Sequence, residues 1–277
     1  MKDPREIGRD VAAKQGAEAV AISERGWYVA PSGATVQIGE AVARARAGTR
    51  SHPPDVAIAR PRPGSRAGRV SVVHESTLAA ARRLHAAGLV PIALNFASAR
   101  HPGGGFLSGA RAQEESLCRA SALYVCLRGQ PMYGYHGQLH DALYTSWVIY
   151  SPEVPVFRGD DGALLAAPWP CSFVTAPAPN AKALRERAPQ RLGEVGPALG
   201  ERIERVLAVA AAAGHPSVVL GAWGCGAFGG DAEDVARRFA EALAGPFRGV
   251  FEAVVFAVLD SSPERRFIGP FERRFSR

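Results

Sequence analysis

Two glutamates stand side by side at Glu114 and Glu115, directly after Gln113. Seven residues separate Gln113 from three consecutive glycines, Gly103, Gly104 and Gly105. The segment opens earlier, at Asn95-Phe96-Ala97-Ser98-Ala99-Arg100-His101-Pro102, just after an apolar run, and it ends where a helix begins. Three glycines without Cβ let the backbone come close to a ligand and take positive φ. Paired carboxylates can do glycosidase chemistry: one protonates a leaving oxygen while negative charge steadies an oxocarbenium-like sugar. A plainer reading also exists, because carboxylates in the first turn of a helix are favoured by its macrodipole. The glycine floor beside the pair tips the balance toward a site.

A second glycine-rich loop runs Gly221-Ala222-Trp223-Gly224-Cys225-Gly226-Ala227-Phe228-Gly229-Gly230-Asp231. It also leads from an apolar strand into a helix, the place where ligands gather in open α/β sheets. Backbone N–H groups there, close to a helix N-terminus, can cradle a phosphate. No Lys-Ser/Thr pair follows, so it is not a Walker A loop. Phe228 among glycines is either a site aromatic or a loop residue folded onto the core. The histidines add little. His101 precedes Pro102. His136 and His140 are four apart, but Gly134 and Gly137 speak against the helix that a zinc pair would need. Cys118, Cys126, Cys171 and Cys225 form no CxxC, which leaves reduced core thiols and an intracellular, cytoplasmic setting as the expectation.

These loops need strands and helices to hold them, and the pattern supplies both. Before residue 51 the chain reads as a helix over Arg5–Ser23, a hairpin of Trp27–Val29 with Thr35–Ile38 around Pro31-Ser32-Gly33, and a short helix over Ile38–Ala47. A Pro/Arg/Gly-rich stretch, Ser51–Gly68, reads as a surface loop. Strands and helices then alternate. Strands are expected at Val70–Val73, Val90–Phe96, Ser146–Tyr150, Ser172–Thr175, Ser217–Gly221 and Phe251–Leu259. Helices are expected at Ser76–Ala87, Gln113–Leu127, Ala188–Ala213 and Asp231–Ala244, with Ser76 and Asp231 as N-caps. The stretch Thr175–Asn180 either lines a ligand's adenine side or is a turn. This is an α/β layered domain with a mixed sheet.

The whole chain fits that picture. It has 277 residues, 47% of them hydrophobic and 21% charged, enough to bury a large core. No apolar window reaches membrane length, and Met1–Glu6 carry charge with no apolar run behind them, so neither a transmembrane helix nor a secretory signal is expected. The net charge of +7 suits a polyanionic substrate. The densest basic cluster, Arg265, Arg266, Arg273, Arg274 and Arg277, alternates with Phe267, Phe271 and Phe275. It reads as an amphipathic end segment docked by its phenylalanines rather than as a nucleic-acid tail.

The spacing GGG, seven residues, QEE resembles the signature of the poly(ADP-ribose) glycohydrolases, and Asn95–Tyr124 looks like their bacterial type. The loop Gly221–Asp231 resembles the diphosphate loop of the macrodomain, the fold on which those enzymes are built. The resemblance implies a macrodomain-like three-layer α/β/α sandwich with a mixed sheet (residues 67–277) and an N-terminal helical extension (residues 1–66) packed on it. It implies hydrolysis of ribose–ribose O-glycosidic bonds of poly(ADP-ribose), with release of ADP-ribose, in a DNA damage response. By the same resemblance Glu115 is the general acid–base and Glu114 holds ribose hydroxyls. Gly103–Gly105 pack on the terminal ribose and diphosphate. Gly224, Cys225, Gly226 and Ala227 cradle the diphosphate, and Phe228 orients the terminal ribose; Gln113 belongs to the motif. Ser98 stands near a ribose-binding Asn of animal members, so that contact falls to Ser98 or to Asn95. No metal or cofactor is implied. The expected partners are poly(ADP-ribose), ADP-ribose and ADP-ribosylated proteins, with no membrane and no specific nucleic acid. The rivals are a catalytically silent ADP-ribose reader, a mono-ADP-ribosyl hydrolase and a basic nucleic-acid binder. The carboxylate pair argues against the reader, which needs only the phosphate cradle.

Overall fold

The computed structural model describes residues 3, 6–66 and 68–275. Helix α1 (Arg9–Arg25) stops at Gly26, which takes φ +82° and closes it with a backbone bond to Ile22. The expected start at Arg5 lies outside the described residues. The hairpin β1 (Trp27–Val29) and β2 (Thr35–Gln37) pairs antiparallel, as the turn residues between them indicate. Helix α2 (Gly39–Gly48) follows, and then β3 (Arg50–His52), an edge strand inside what reads as the start of a loop. After the Pro/Arg-rich stretch come β4 (Arg69–Val73), α3 (Thr77–Ala86) and β5 (Pro91–Phe96). The Ser76 hydroxyl caps α3 by accepting from the Ala79 N–H.

The helix expected over Gln113–Leu127 is broken in two, α4 (Gln113–Ala120) and α5 (Leu123–Leu127). At Ser121 the backbone becomes extended and bridges Val156 of the sheet, while its hydroxyl bonds back to the Leu117 carbonyl. Helix α6 (Pro131–Gln138) forms despite Gly134 and Gly137, with Met132, Tyr133 and His136 buried beneath it. Strands β6 (Val148–Arg158) and β7 (Leu164–Ala176) form a hairpin much longer than the two short strands expected. Then come α7 (Ala181–Arg187), α8 (Val195–Ala212), β8 (Ser217–Leu220), α9 (Ala232–Ala244), β9 (Ala253–Ala257) and α10 (Ile268–Phe275). Asp231 caps α9 through the Glu233 N–H. The C-terminal segment docks as expected: Phe271 and Phe275 pack on Phe256 at ring distances of 5.1 and 4.5 Å. Arg277 lies outside the described residues.

The main sheet has seven strands in the order β3-β6-β7-β5-β8-β9-β4. Its β7-β5-β8-β9-β4 part is parallel, and β3 and β6 add antiparallel neighbours. Alternate residues of the central strands go to opposite cores. Ala93, Val219, Val255 and Ala257 join the side covered by α1 to α5. Ile92, Leu94, Val218, Leu220, Val254 and Phe256 join the side of α8, α9 and α10. Two cores on the two faces of one mixed sheet make three layers. The described residues before Arg69 are woven into this body, since β3 forms the sheet's edge. Among the described residues no helix is long and apolar enough to cross a membrane.

Candidate active site

The carboxyl ends of the parallel strands open on one cleft of about 290 Å³. Its wall runs along the sheet in strand order. The loop after β4 gives Glu75 and Thr77, the end of β9 gives Val258 and Leu259, the loop after β8 gives Gly224 to Phe228, and the loop after β5 gives Ser98. Glu114 and Glu115, at the start of α4, sit at the β5 end of this wall and both are buried.

Each carboxylate is held by backbone of the glycine loop or the β5 loop. The Ser98 N–H donates to Glu114 Oε2 (2.6 Å) and Asn95 Nδ2 donates to Glu114 Oε1 (3.2 Å). The Gly105 N–H donates to Glu115 Oε1 (3.0 Å). Gly104 lies directly beneath the pair, at φ +60°; a Cβ there would collide with Glu115 Oε1 and come within 3.2 Å of Glu114 Oε2. No other residue type fits at that point. Burial first, and the neighbouring Glu115 charge as well, push Glu114 up to about 8, against the pull of the hydrogen bonds from Ser98 and Asn95. Glu115 Oε2 is buried and has no hydrogen-bond partner among the described residues. An unsatisfied acceptor of this kind costs about 1–3 kcal/mol until a donor reaches it.

Gln113 works as a clamp. Its Oε1 accepts from the Phe96 N–H (2.9 Å), and its Nε2 donates to the Leu94 carbonyl (2.8 Å) and to Thr77 Oγ1 (3.1 Å). It therefore fixes the start of α4 to β5 and α3. Asn95 is wholly buried behind Glu114 and also donates to Thr175 Oγ1 (3.2 Å), while Ser98 reaches the cleft wall. Gly103, Gly104 and Gly105 are not among the residues that line the cleft; they lie behind the carboxylates, with Gly103 against Phe106 and Cys118. Helix α1 braces this loop from outside. Gly16 lets it approach Phe106, whose carbonyl would lie 2.8 Å from an added Cβ, and Arg9 Nε donates to the Ser108 carbonyl (2.9 Å).

The second glycine loop has the form of an anion cradle. Within it the N–H groups of Trp223, Cys225, Gly229 and Gly230 are used by turns. Those of Gly224, Gly226, Ala227 and Phe228 have no partner among the described residues. Gly224 needs its glycine for backbone reasons, at φ +79° and against Ala178. Gly226 is different: a Cβ there would meet only open space in the cleft. The Phe228 ring is half-buried on the cleft wall, 6.2 Å from the Tyr144 ring. Ala178 lines the cleft beside Gly224, on the β7 side and away from the β4 and β9 end. His136 is buried and bonds Thr145 Oγ1 (2.7 Å), and among the described residues no His/Cys/Asp/Glu group could hold a metal ion. All four cysteines are buried and free.

Some cleft residues carry no signal in the sequence. Asp160, at the tip of the β6–β7 hairpin, accepts from the Ser76 hydroxyl (2.6 Å) and enters the far wall with Glu75. Phe267 closes the same end. Its N–H and that of Ile268 are held by Asp260. Burial works to raise the Asp260 carboxyl, yet hydrogen bonds from Ser262, Ile268 and Phe267 outweigh it and bring the group down to about 2. The Gly159-Asp160-Asp161-Gly162 turn is the one available signal, and it marks a hairpin rather than a site.

The geometry joins a buried carboxylate pair to an unfilled N–H cradle along one cleft, and comparison with known proteins gives that joint feature a family. The family model for the microbial-type PARG catalytic domain matches residues 16–159. The chain belongs to the microbial-type poly(ADP-ribose) glycohydrolase family. It is 48% identical to the solved poly(ADP-ribose) glycohydrolase of Thermomonospora curvata, with a TM-score of 0.88 over 95% of this chain and 99% of that one. A second structure of that enzyme, bound to the inhibitor ADP-HPD, matches at 47% identity and a TM-score of 0.87, with the same coverage. The Deinococcus radiodurans enzyme in complex with ADP-ribose matches at 48% identity and a TM-score of 0.81, over 86% of this chain and 98% of that one. A comparison with curated proteins by sequence gives no match. The glycohydrolase is thus a glycosidase with a macrodomain-like fold.

Proposed function

We propose that the chain hydrolyses the glycosidic bond between C1″ of a terminal ribose and the 2′-oxygen of the next ADP-ribose unit. One observation carries the residue roles: two buried adjacent carboxylates close the end of a cleft whose middle is a row of unpartnered N–H groups. The diphosphate lies on Gly224, Cys225, Gly226 and Ala227, a placement that the unpartnered N–H groups of Gly224, Gly226 and Ala227 support. The adenine points to the β9 and β4 end, toward Leu259 and Phe267, and the terminal ribose lies against Ser98 and Phe228 by the glutamates.

Near neutral pH the pair carries a proton, held on Glu114 in the empty site. Ribose hydroxyls that donate to Glu114 favour its anion. The proton so released is delivered through Glu115 Oε2, the oxygen that has no partner among the described residues. Glu115 gives it to the 2′-oxygen as the C1″–O bond breaks, and the Glu114 anion steadies the positive charge on the sugar. Water adds to C1″ and returns a proton to Glu115. The products are ADP-ribose and a polymer end with a free 2′-hydroxyl. The intact carboxylate pair favours this over a silent reader. Residues 1–66 act as an extension whose α1 holds the glycine loop in place. Four free buried thiols support a reducing, cytoplasmic setting, and polymer turnover of this kind suits recovery from DNA damage.

The test is incubation with labelled poly(ADP-ribose) and, separately, with a mono-ADP-ribosylated protein. Release of ADP-ribose from the polymer is expected. Release from the modified protein alone would assign the site to a mono-ADP-ribosyl hydrolase.

A further inference from the structure

A second cavity, about 260 Å³, adjoins the catalytic end of the cleft; two chain segments line both, and a ring contact joins a third pair of walls. On the loop after β5, Ser98 faces the cleft and Arg100 faces the second cavity. On the segment after β7, Ala178 faces the cleft and Asn180 the cavity. The Phe228 ring walls the cleft, and its neighbour Tyr144 walls the cavity. The strand order puts β4 and β9 at one end of the cleft and this cavity beyond β5, at the other. A chain that crosses the scissile position away from the adenine end therefore runs into it.

Its chemistry is that of an anion site. Arg100, Arg187 and Arg191 line it with Asp141 as the opposing charge. Asp141 and Glu194 both pair with Arg191, so Arg191 is neutralised. Arg100 has no carboxylate partner among the described residues: it donates to the Leu139 carbonyl (3.1 Å), lies over the Tyr144 ring, and keeps a buried Nε without an acceptor. Arg187, exposed at the end of α7, has no partner among the described residues. Tyr144 holds the junction at φ 56°, a conformation that a tyrosine adopts only under constraint.

We propose that this cavity is a leaving-side subsite that takes the diphosphate of the neighbouring ADP-ribose unit on Arg100 and Arg187. The inference rests on the hydrolytic reading above and extends it from the bond cut to the length of polymer gripped. Such a contact adds affinity for polymer without touching the reacting atoms.

The experiment compares two substrates, long poly(ADP-ribose) and an aryl glycoside of ADP-ribose whose leaving group carries no phosphate. The enzymes are wild type, Arg187→Glu and Arg100→Ala; the first variant changes only an exposed side chain and guards against misfolding of the second. KM for polymer should rise roughly three- to fivefold in each variant, the loss expected for one solvent-screened phosphate contact. Turnover, aryl-glycoside hydrolysis and ADP-ribose affinity should stay within about twofold of wild type. An unchanged polymer KM in both variants, or equal losses on both substrates, overturns the subsite. If single-stranded DNA competes through these arginines while polymer KM stays constant, the cavity is a nucleic-acid contact and the proposal fails. Wild type that cleaves the aryl glycoside but no polymer contradicts the hydrolytic reading itself, a result separate from these.

Discussion

Glu114 should make the empty enzyme less stable as pH rises, and Glu114→Gln should remove that dependence. The carboxyl is pushed from 4.5 up to about 8, chiefly by burial. Between those two values the folded protein keeps a proton that the unfolded chain has lost. The folded state then binds more protons, so stability falls with rising pH across the interval and levels off above it. Each pH step of one within that interval corresponds to about 1.4 kcal/mol, so the whole interval amounts to roughly 3–5 kcal/mol. For a chain of this size that corresponds to a fall in Tm on the order of 5–10 °C. Glutamine carries no titrating proton, and its NH₂ meets the Ser98 N–H or an Asn95 amide that must turn its unpartnered Oδ1 to accept, so any cost of the exchange is constant with pH. The slopes, not the absolute stabilities, therefore decide. Thermal or urea unfolding of both proteins from pH 5 to pH 8, without ligand, gives those slopes. Parallel curves would show that Glu114 is ionised in the folded enzyme, and the proton reservoir proposed for the pair would be wrong.

Three further outcomes follow from the loops. Gly226→Val should fold with unchanged Tm and bind ADP-ribose at least about tenfold more weakly, because its Cβ enters only the cleft; calorimetry that gives wild-type affinity would place the diphosphate elsewhere. Gly224→Val should lose stability as well as affinity, since φ +79° and the contact with Ala178 both oppose a side chain; an unchanged Tm would contradict this. Phe228→Ala should lower turnover of polymer with little change in Tm, as its half-buried ring faces the ribose end of the cleft; turnover and KM equal to wild type would remove it from the site.

What the sequence makes visible is whatever local chemistry determines. The central strands β5, β8 and β9 are buried on both faces and read as almost continuous apolar runs. Ser76 and Asp231 cap helices by their own side chains, so they are legible too. The carboxylate pair is legible because its spacing from three glycines matches the need for a floor without Cβ atoms, and Gly104 is where that need is met. Elements whose existence depends on a distant partner are not visible. Strand β3, Arg50–His52, has no apolar alternation and is a strand only because β6 pairs with it. The outer half of β7 contains Pro168 and Pro170, which argue against a strand, yet there β7 pairs only with β6 and an edge tolerates proline. The break at Ser121 comes from a bridge to Val156, far along the chain. Glu75, Asp160 and Phe267 reach the cleft through tertiary contacts that no spacing announces.

Catalysis is assigned to the Glu115 carboxyl, and substitution by glutamine isolates its part in bond cleavage. The change keeps the size and the bond from the Gly105 N–H but removes the proton that the leaving oxygen needs. Initial rates of ADP-ribose release from poly(ADP-ribose), measured beside calorimetric affinity for ADP-ribose, separate catalysis from binding. Glu115→Gln should lose at least about two orders of magnitude in rate, the usual worth of a positioned acid–base group, with affinity preserved by the intact N–H cradle. Cleavage by Glu115→Gln at the wild-type rate would contradict the assignment.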